Sequence, residues 1–327
     1  VTILIGRKCK DVSYMEATWL VDLDGVVWRG NSAIEGGSKA VKLLRAARKN
    51  VVFFTNNSFP TLASHISKLS SMGIDIASDS ILTSAIAASH LLKEKSKVLC
   101  LGGPGLFEAL NNDGHDAVLV HHLPIRTNSS DKNTISAAQF FSQSQNTSFR
   151  QLSVTRGQSF FLDQLTLLGN DLLDNIDKIE IGYFDVCMAG LDPFFNFLTL
   201  SFGLKALSQG SRLIATNDDM TYPMTNGRLP GGGSLFKILQ EVAMVEGEVA
   251  GKPYQPAVDL VTSRFQNIEC VVGDRIETDG LLAQNLGAKF ALVYSGVTTH
   301  NMSSGFEPTY TGENFYKVVK HILDIED

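Results

Sequence analysis

An α/β fold is predicted for this chain: a parallel sheet flanked by helices, interrupted by a second, inserted α/β domain. Three observations predict it. Strand-length apolar runs alternate with segments of helical period near the N-terminus, the same alternation returns in the last third, and residues 84–230 between them alternate independently. A length of 327 residues with 44% hydrophobic content is also more than one core usually organises.

Each element follows from its local pattern. Trp19–Val21 and Val51–Phe54 read as strands, and within Gly36–Asn50 the residues Ala40, Leu43, Leu44 and Ala47 recur at helical spacing. In the inserted region, Val98–Leu101, Val186–Ala189 and Leu213–Ala215 read as strands and Phe194–Leu207 as a helix. Ser, Thr, Asn and Gln make up 16 of the 26 residues from Arg126 to Gln151, so that stretch reads as a surface excursion rather than core. Gly231-Gly232-Gly233-Ser234 reads as the hinge that returns the chain to the first sheet. Ala257, Leu260 and Val261 then mark a helix, Cys270–Val272 a strand, Leu281–Leu286 a helix and Phe290–Val293 a strand. The expected domains are a core of residues 15–83 and 231–327 and an inserted cap of residues 84–230. Met15 stands just before the first strand, so residues 1–14 are expected to be an N-terminal extension.

Composition narrows the function. Lys+Arg 28 against Asp+Glu 34 gives a net charge of -6, with no overall basic footprint for nucleic acid or an anionic membrane. Neither a nucleic acid polymer nor a membrane is an expected partner, and no apolar run approaches the ~20 residues of a membrane span. Cys9, Cys100, Cys187 and Cys270 lack any Cys-x-x-Cys spacing, which argues against a zinc site or disulfide framework and for a cytoplasmic location. His121-His122 is adjacent rather than spaced i, i+4, and reads as solvated or hydrogen-bonded. Gly102-Gly103-Pro104-Gly105 follows a strand, but Glu108 stands where a dinucleotide-binding loop needs its third glycine.

The chemistry gathers where apolar runs stop at polar groups: Trp19–Val21 at Asp22, Val51–Phe54 at Thr55, and Cys270–Gly273 at Asp274. In an open parallel sheet these are the carboxyl ends of strands, where ligands bind. Alone, Asp22-Leu23-Asp24-Gly25 is equally well a turn and Thr55-Asn56-Asn57-Ser58 a helix cap. Their joint occurrence, in this order and with Gly251-Lys252-Pro253 before the last, points to a site.

In those four segments the chain resembles the haloacid dehalogenase superfamily. Asp22-Leu23-Asp24-Gly25-Val26 looks like its first motif, Thr55 its second, Lys252 its third and Gly273-Asp274-Arg275-Ile276-Glu277-Thr278-Asp279 its fourth. The long insertion, Thr55-Asn56-Asn57-Ser58 and Ala215-Thr216-Asn217-Asp218-Asp219 are similar to the NagD-like, p-nitrophenylphosphatase branch with its large α/β cap. The resemblance implies a Rossmann-like core and a Mg²⁺-dependent phosphatase acting on a small phosphorylated metabolite through an aspartyl phosphate. It implies Asp22 as nucleophile and Asp24 as acid and base, with Lys252 and Thr55 on the phosphate. Asp22, the Asp24 carbonyl and Asp274 would hold the metal, and Asp279 would orient the site from behind. Asn56 and Asn57 would donate to phosphate oxygens. The segment Asn217–Met224 would choose the leaving group, with Asn217 and Tyr222 as substrate contacts. A homodimer through the cap is kept open.

Competing chemistries fit less well. A dehalogenase has no need of Asp24, and a P-type ATPase needs membrane spans and a Thr in its place. The alternative from another class is a catalytically silent phosphometabolite-binding module on the same fold. Tyr222 stands where pyridoxal phosphate phosphatases of the branch usually carry His, which weakens that substrate. Polyol phosphates, phosphoglycolate, sugar phosphates and nucleoside monophosphates stay open.

Overall fold

The computed structural model describes residues 16–125, 135–136, 180–224, 227–298 and 307–325. The expected extension 1–14 lies outside them, as does the excursion 126–151 apart from residues 135–136. By contacts the chain divides into two units, Val1–Phe53 with Val261–Asp327, and Phe54–Leu260.

In the first unit, strand Thr18–Val21 runs parallel to Ile268–Gly273 on one side and to Asn50–Thr55 on the other, with Val21 opposite Val272 and Phe53. Lys289–Val293 and then Tyr310–Gly312 extend the sheet, also in parallel. Trp19, Leu20, Val21, Val271, Val272 and Ala291 are buried, as strands covered on both faces must be. The indole of Trp19 donates to Glu269 at 2.8 Å and Lys49 reaches the same carboxylate at 2.6 Å, so the buried ring has a hydrogen-bond partner. Helices Gly37–Ala46 and Phe315–Ile322 pack against each other.

The second unit is built on a five-stranded parallel sheet in the order Glu248–Val249, Arg212–Ala215, Val186–Ala189, Lys97–Leu101, Asp116–Leu119. Its core joins Leu99, Leu101, Cys187, Phe202, Leu213, Phe236 and Leu239. Helix Phe197–Ser208 begins three residues later than the sequence pattern implies, because Asn196 and Thr199 form a capping box there.

The glycine run at 231–234 differs in role from the hinge expected there. It opens helix Gly232–Ala243, whose Phe236 and Leu239 belong to the second unit's core, and the chain crosses to the first unit only after Leu260. A side chain at Gly231 would come within 2.1 Å of the Asp219 carbonyl and one at Gly233 within 2.2 Å of the Asp218 backbone. The glycines therefore let this helix start lie against the Asp218-Asp219-Met220 backbone, with Gly231 and Gly233 amides donating to the Met220 and Asp219 carbonyls at 3.0 Å each.

Candidate active site

The first unit gathers carboxylates at the carboxyl ends of adjacent strands. Asp22 follows Val21 directly, and its amide donates to the Val272 carbonyl at 2.9 Å. Asp274 follows Gly273, the last residue of the neighbouring strand. Just beyond it a wide helical turn at Ile276–Gly280 carries Asp279 inward, and the Arg275 amide donates to Asp279 Oδ2 at 3.3 Å. One oxygen from each of Asp22, Asp274 and Asp279 lies within 4.8 Å of the others, and all three residues are buried. Asp279, expected to act from behind, thus stands in the same cluster as the two carboxylates expected to meet the metal.

Backbone amides support this cluster. The Val297 amide donates to Asp274 Oδ2 at 2.5 Å, and the Thr298 amide donates to the Asp274 carbonyl at 3.2 Å. Gly25 sits at φ +89, and a side chain there would come 2.4 Å from Asp274 Oδ2, so this position needs glycine for both conformation and space. Asp24, two residues after Asp22, accepts at Oδ1 from the Trp28 indole at 2.9 Å.

Oxygen donors alone make up the cluster, which suits a hard divalent cation such as Mg²⁺ rather than a softer metal. Buried carboxylates this close repel one another unless they share a positive charge, so the donor set fits the metal that the sequence implies.

The second unit gathers the other predicted residues. Thr55 ends strand Asn50–Thr55 and its hydroxyl oxygen accepts from the Asn57 amide at 3.0 Å. Lys252 is 3% exposed, and its ammonium donates to the Phe54 carbonyl at 2.9 Å. Asn56 was expected to meet phosphate by amide or side chain, and the structure narrows this. Its Nδ2 donates to Asp219 at 3.0 Å and to the Lys252 carbonyl at 3.1 Å, while its Oδ1 accepts from the Lys252 amide at 2.8 Å. Both side-chain hydrogens are committed, so only the Asn56 backbone amide fits a phosphate donor.

Asn217, expected at the substrate, is buried; its Nδ2 donates to the Asn56 carbonyl at 2.8 Å, and its Oδ1 accepts from the Asp219 amide at 3.2 Å. It thus ties the Asn56 backbone to the Asn217–Asp219 turn. Asn57 Oδ1 accepts from the Phe59 amide at 3.2 Å. Tyr222, half-buried, pairs with Leu229 in the hairpin of Thr221–Met224 and Gly227–Pro230. The Tyr254 hydroxyl donates to Asp218, which, with burial, pushes the phenol up to about 12.

Trp28, Ser84 and Tyr254 escape a sequence reading, and Asp219 is read there only as part of the segment Asn217–Met224, not as a partner of Asn56. Ser84 donates to the Asn56 carbonyl at 2.7 Å across 28 positions, a contact that no local pattern encodes. For Trp28 a signal was present, since it stands four residues after Asp24 and two beyond the end of the first motif.

Other polar features are structural. The amide of Gly105 donates to the Phe59 carbonyl at 2.9 Å, and side chains at Gly103 or Gly105 would strike Phe59 or Pro60. The Gly102–Gly105 turn therefore receives the Ser58–Pro60 segment rather than a dinucleotide. His121 Nε2 meets Asp192 at 2.8 Å, a hydrogen-bonded histidine as its spacing implied. Burial pushes the Cys187 and Cys270 thiols up to about 12, which makes them poor nucleophiles.

Residues 19–116 match the model of haloacid dehalogenase-like hydrolases and residues 249–318 that of HAD-hydrolase-like proteins. Phosphoglycolate phosphatase 2 of Arabidopsis thaliana is 30% identical over 319 residues, covering 93% of this chain and 92% of its own. Glycerol-3-phosphate phosphatase of Homo sapiens is 28% identical over 298 residues, covering 86% and 80%. The fold is shared with p-nitrophenyl phosphatase from Archaeoglobus fulgidus, at a TM-score of 0.67 and 23% identity over 94% of this chain and 99% of that one. With the four motifs in place and relatives aligned along nearly the whole chain, this protein belongs to the haloacid dehalogenase-like hydrolase family.

Proposed function

We propose that this enzyme, a phosphoric monoester hydrolase, is a Mg²⁺-dependent phosphatase of small phosphate esters that works through an aspartyl phosphate on Asp22. The observation that carries the reading is the buried grouping of Asp22 and Asp274, each just after a strand, with Asp279 of the following helical turn, all within 4.8 Å. Phosphate monoesters hydrolyse so slowly that acceleration approaches ~10²¹-fold, most of it from positioning and charge stabilisation. A carboxylate approaching a phosphate dianion is repelled by several kcal/mol at about 4 Å if the effective dielectric is near 20. Mg²⁺, held by Asp22, Asp274 and the Asp24 carbonyl with Asp279 beside them, supplies positive charge against that repulsion when bound.

The remaining work falls to the chain's own groups. An Asp22 oxygen attacks phosphorus while Asp24 gives a proton to the departing alcohol oxygen. Asp24 then takes a proton from the water that attacks the aspartyl phosphate, and inorganic phosphate leaves with Asp22 restored. The Lys252 ammonium neutralises phosphate charge. The Thr55 hydroxyl, whose oxygen already accepts from Asn57, directs its one hydrogen to a phosphate oxygen.

Relatives named for phosphoglycolate and for glycerol-3-phosphate support a small polyol or carboxylate ester as substrate, and acid sugar phosphatases of Staphylococcus keep sugar phosphates within the reading. No helix among the described residues is long and apolar enough to cross a membrane. A cytoplasmic setting and a cap-mediated homodimer complete the proposal, the second tested by light scattering. The deciding experiment measures phosphate release from an ester panel with Mg²⁺, for the native chain and Asp22→Asn. Release by the native chain alone supports the proposal, whereas binding of esters without release identifies a silent binding module. Activity of Asp22→Asn above about a hundredth of native would refute the nucleophile.

A further inference from the structure

Trp28 is 1% exposed, yet its indole nitrogen finds a partner in Asp24 Oδ1 at 2.9 Å. We propose that Trp28 is a positioning residue that fixes which oxygen of Asp24 exchanges the proton with the leaving group. This rests on the reading of Asp24 as acid and base. The loop after Asp22 is wound so as to bring Trp28 back onto it. The Leu23 carbonyl accepts from the amides of Val26, Val27 and Trp28 at 3.3, 2.9 and 3.2 Å, and the Gly25 amide donates to the Trp28 carbonyl at 2.7 Å. Beyond this turn, Trp28 pairs with Ala33 in a short hairpin, and Arg29 donates to the Ser295 and Gly296 carbonyls at 2.6 and 2.8 Å. The ring is thus fixed at its backbone and by burial.

The chemistry follows from donor and acceptor types. An aspartate carboxyl turns about a broad, two-fold torsion, so either oxygen can face the substrate. The indole nitrogen only donates, and so it holds an oxygen that carries no hydrogen in either protonation state. Oδ1 is that oxygen, and the proton resides on Oδ2. In the first step the Oδ2–H bond breaks and its proton passes to the leaving oxygen as that oxygen parts from phosphorus. In the second, Oδ2 takes a proton from water as the water oxygen bonds to phosphorus and the bond from phosphorus to Asp22 breaks. Orientation of this kind contributes to rate without adding a contact to the substrate.

A merely packed tryptophan would affect all esters alike, which gives the test. In the whole chain with Mg²⁺, kcat/KM is measured for glycerol phosphate, whose alkoxide needs a proton, and for p-nitrophenyl phosphate, whose phenolate leaves without one. The variants are Trp28→Phe and replacement of Trp28 by benzothienylalanine, which keeps the ring shape and deletes only the N–H. Expected is a loss of about tenfold or more on glycerol phosphate and less than about threefold on p-nitrophenyl phosphate. Asp24→Asn should show the same selectivity, and adding Trp28→Phe to it should cost nothing more. Equal losses on both esters, or none, for the benzothienyl protein overturn the proposal even if Trp28→Phe fails to fold. If Asp24→Asn itself lowers both esters equally, the acid role of Asp24 falls and the role of Trp28 with it. If Asp24→Asn is selective and the Trp28 proteins are not, Trp28 alone is refuted.

Discussion

The side chain of Asn56 pairs with the backbone of Lys252 at both polar atoms, accepting from its amide at 2.8 Å and donating to its carbonyl at 3.1 Å. The pairing spans 196 positions and ties the second motif to the third, with Asp219 at 3.0 Å as its third partner. Asn56→Ala removes all three bonds and leaves buried groups unsatisfied. A loss of about 2–4 kcal/mol in denaturant unfolding is expected, with KM for phosphate esters raised because Lys252 is no longer held. Unchanged KM and stability would show that the pairing holds nothing.

Metal dependence is tested through Asp274, whose carboxylate is held by the Val297 amide at 2.5 Å. Chelation should stop hydrolysis and Mg²⁺ restore it. Asp274→Ala should raise the half-saturating Mg²⁺ concentration at least about tenfold, since a direct oxygen ligand is lost. Full activity in chelator, with no divalent ion added, would remove the metal from the proposal.

Tyr222 separates substrate choice from packing. Its ring is half-buried on a hairpin, so it can meet a leaving group or simply brace Leu229 opposite. On the first account Tyr222→Ala lowers kcat/KM unequally across esters and leaves Tm and Mg²⁺ dependence nearly unchanged. Uniform losses together with a clear fall in Tm would assign it to packing.

His65 provides a pH test. It lies in helix Leu62–Ser71, where burial pushes its imidazole down to about 4 against a hydrogen bond with the Asn57 backbone, and Lys68 adds a smaller downward push. Between this value and the unfolded value near 6.5 the unfolded chain binds more protons, so stability is full above about 6.5 and falls as pH drops toward 4. From pH 7 to 5 the share due to His65 is about 2 kcal/mol. Urea unfolding of native and His65→Gln chains at both pH values should show that much less pH dependence in the variant. Parallel pH profiles would exclude His65 as the cause.

The strand ends that carry Asp22, Thr55 and Asp274 were legible because a run of apolar residues halting at a polar one is a local pattern. Strand boundaries shifted by only a residue or two, as with Thr18–Val21 and Lys289–Val293. The edge strand Tyr310–Gly312 and the hairpin at Thr221–Pro230 escaped, since neither has an apolar run long enough to declare itself.

By itself, then, the sequence determined the α/β class, the inserted second sheet, and the order of Asp22, Asp24, Thr55, Lys252 and Asp274, because period and spacing are properties of neighbours in the chain. Tertiary structure alone decided that Asp279 joins Asp22 and Asp274, and that the Asn56 side chain serves Lys252 and Asp219. It likewise decided that Asn217 braces the Asn56 carbonyl and that the glycines at 231 and 233 make room for Asp218 and Asp219. Those outcomes depend on hydrogen bonds and close approaches between residues far apart in the chain. Which donor meets which acceptor is set only when packing has removed water and each buried polar group must find a partner.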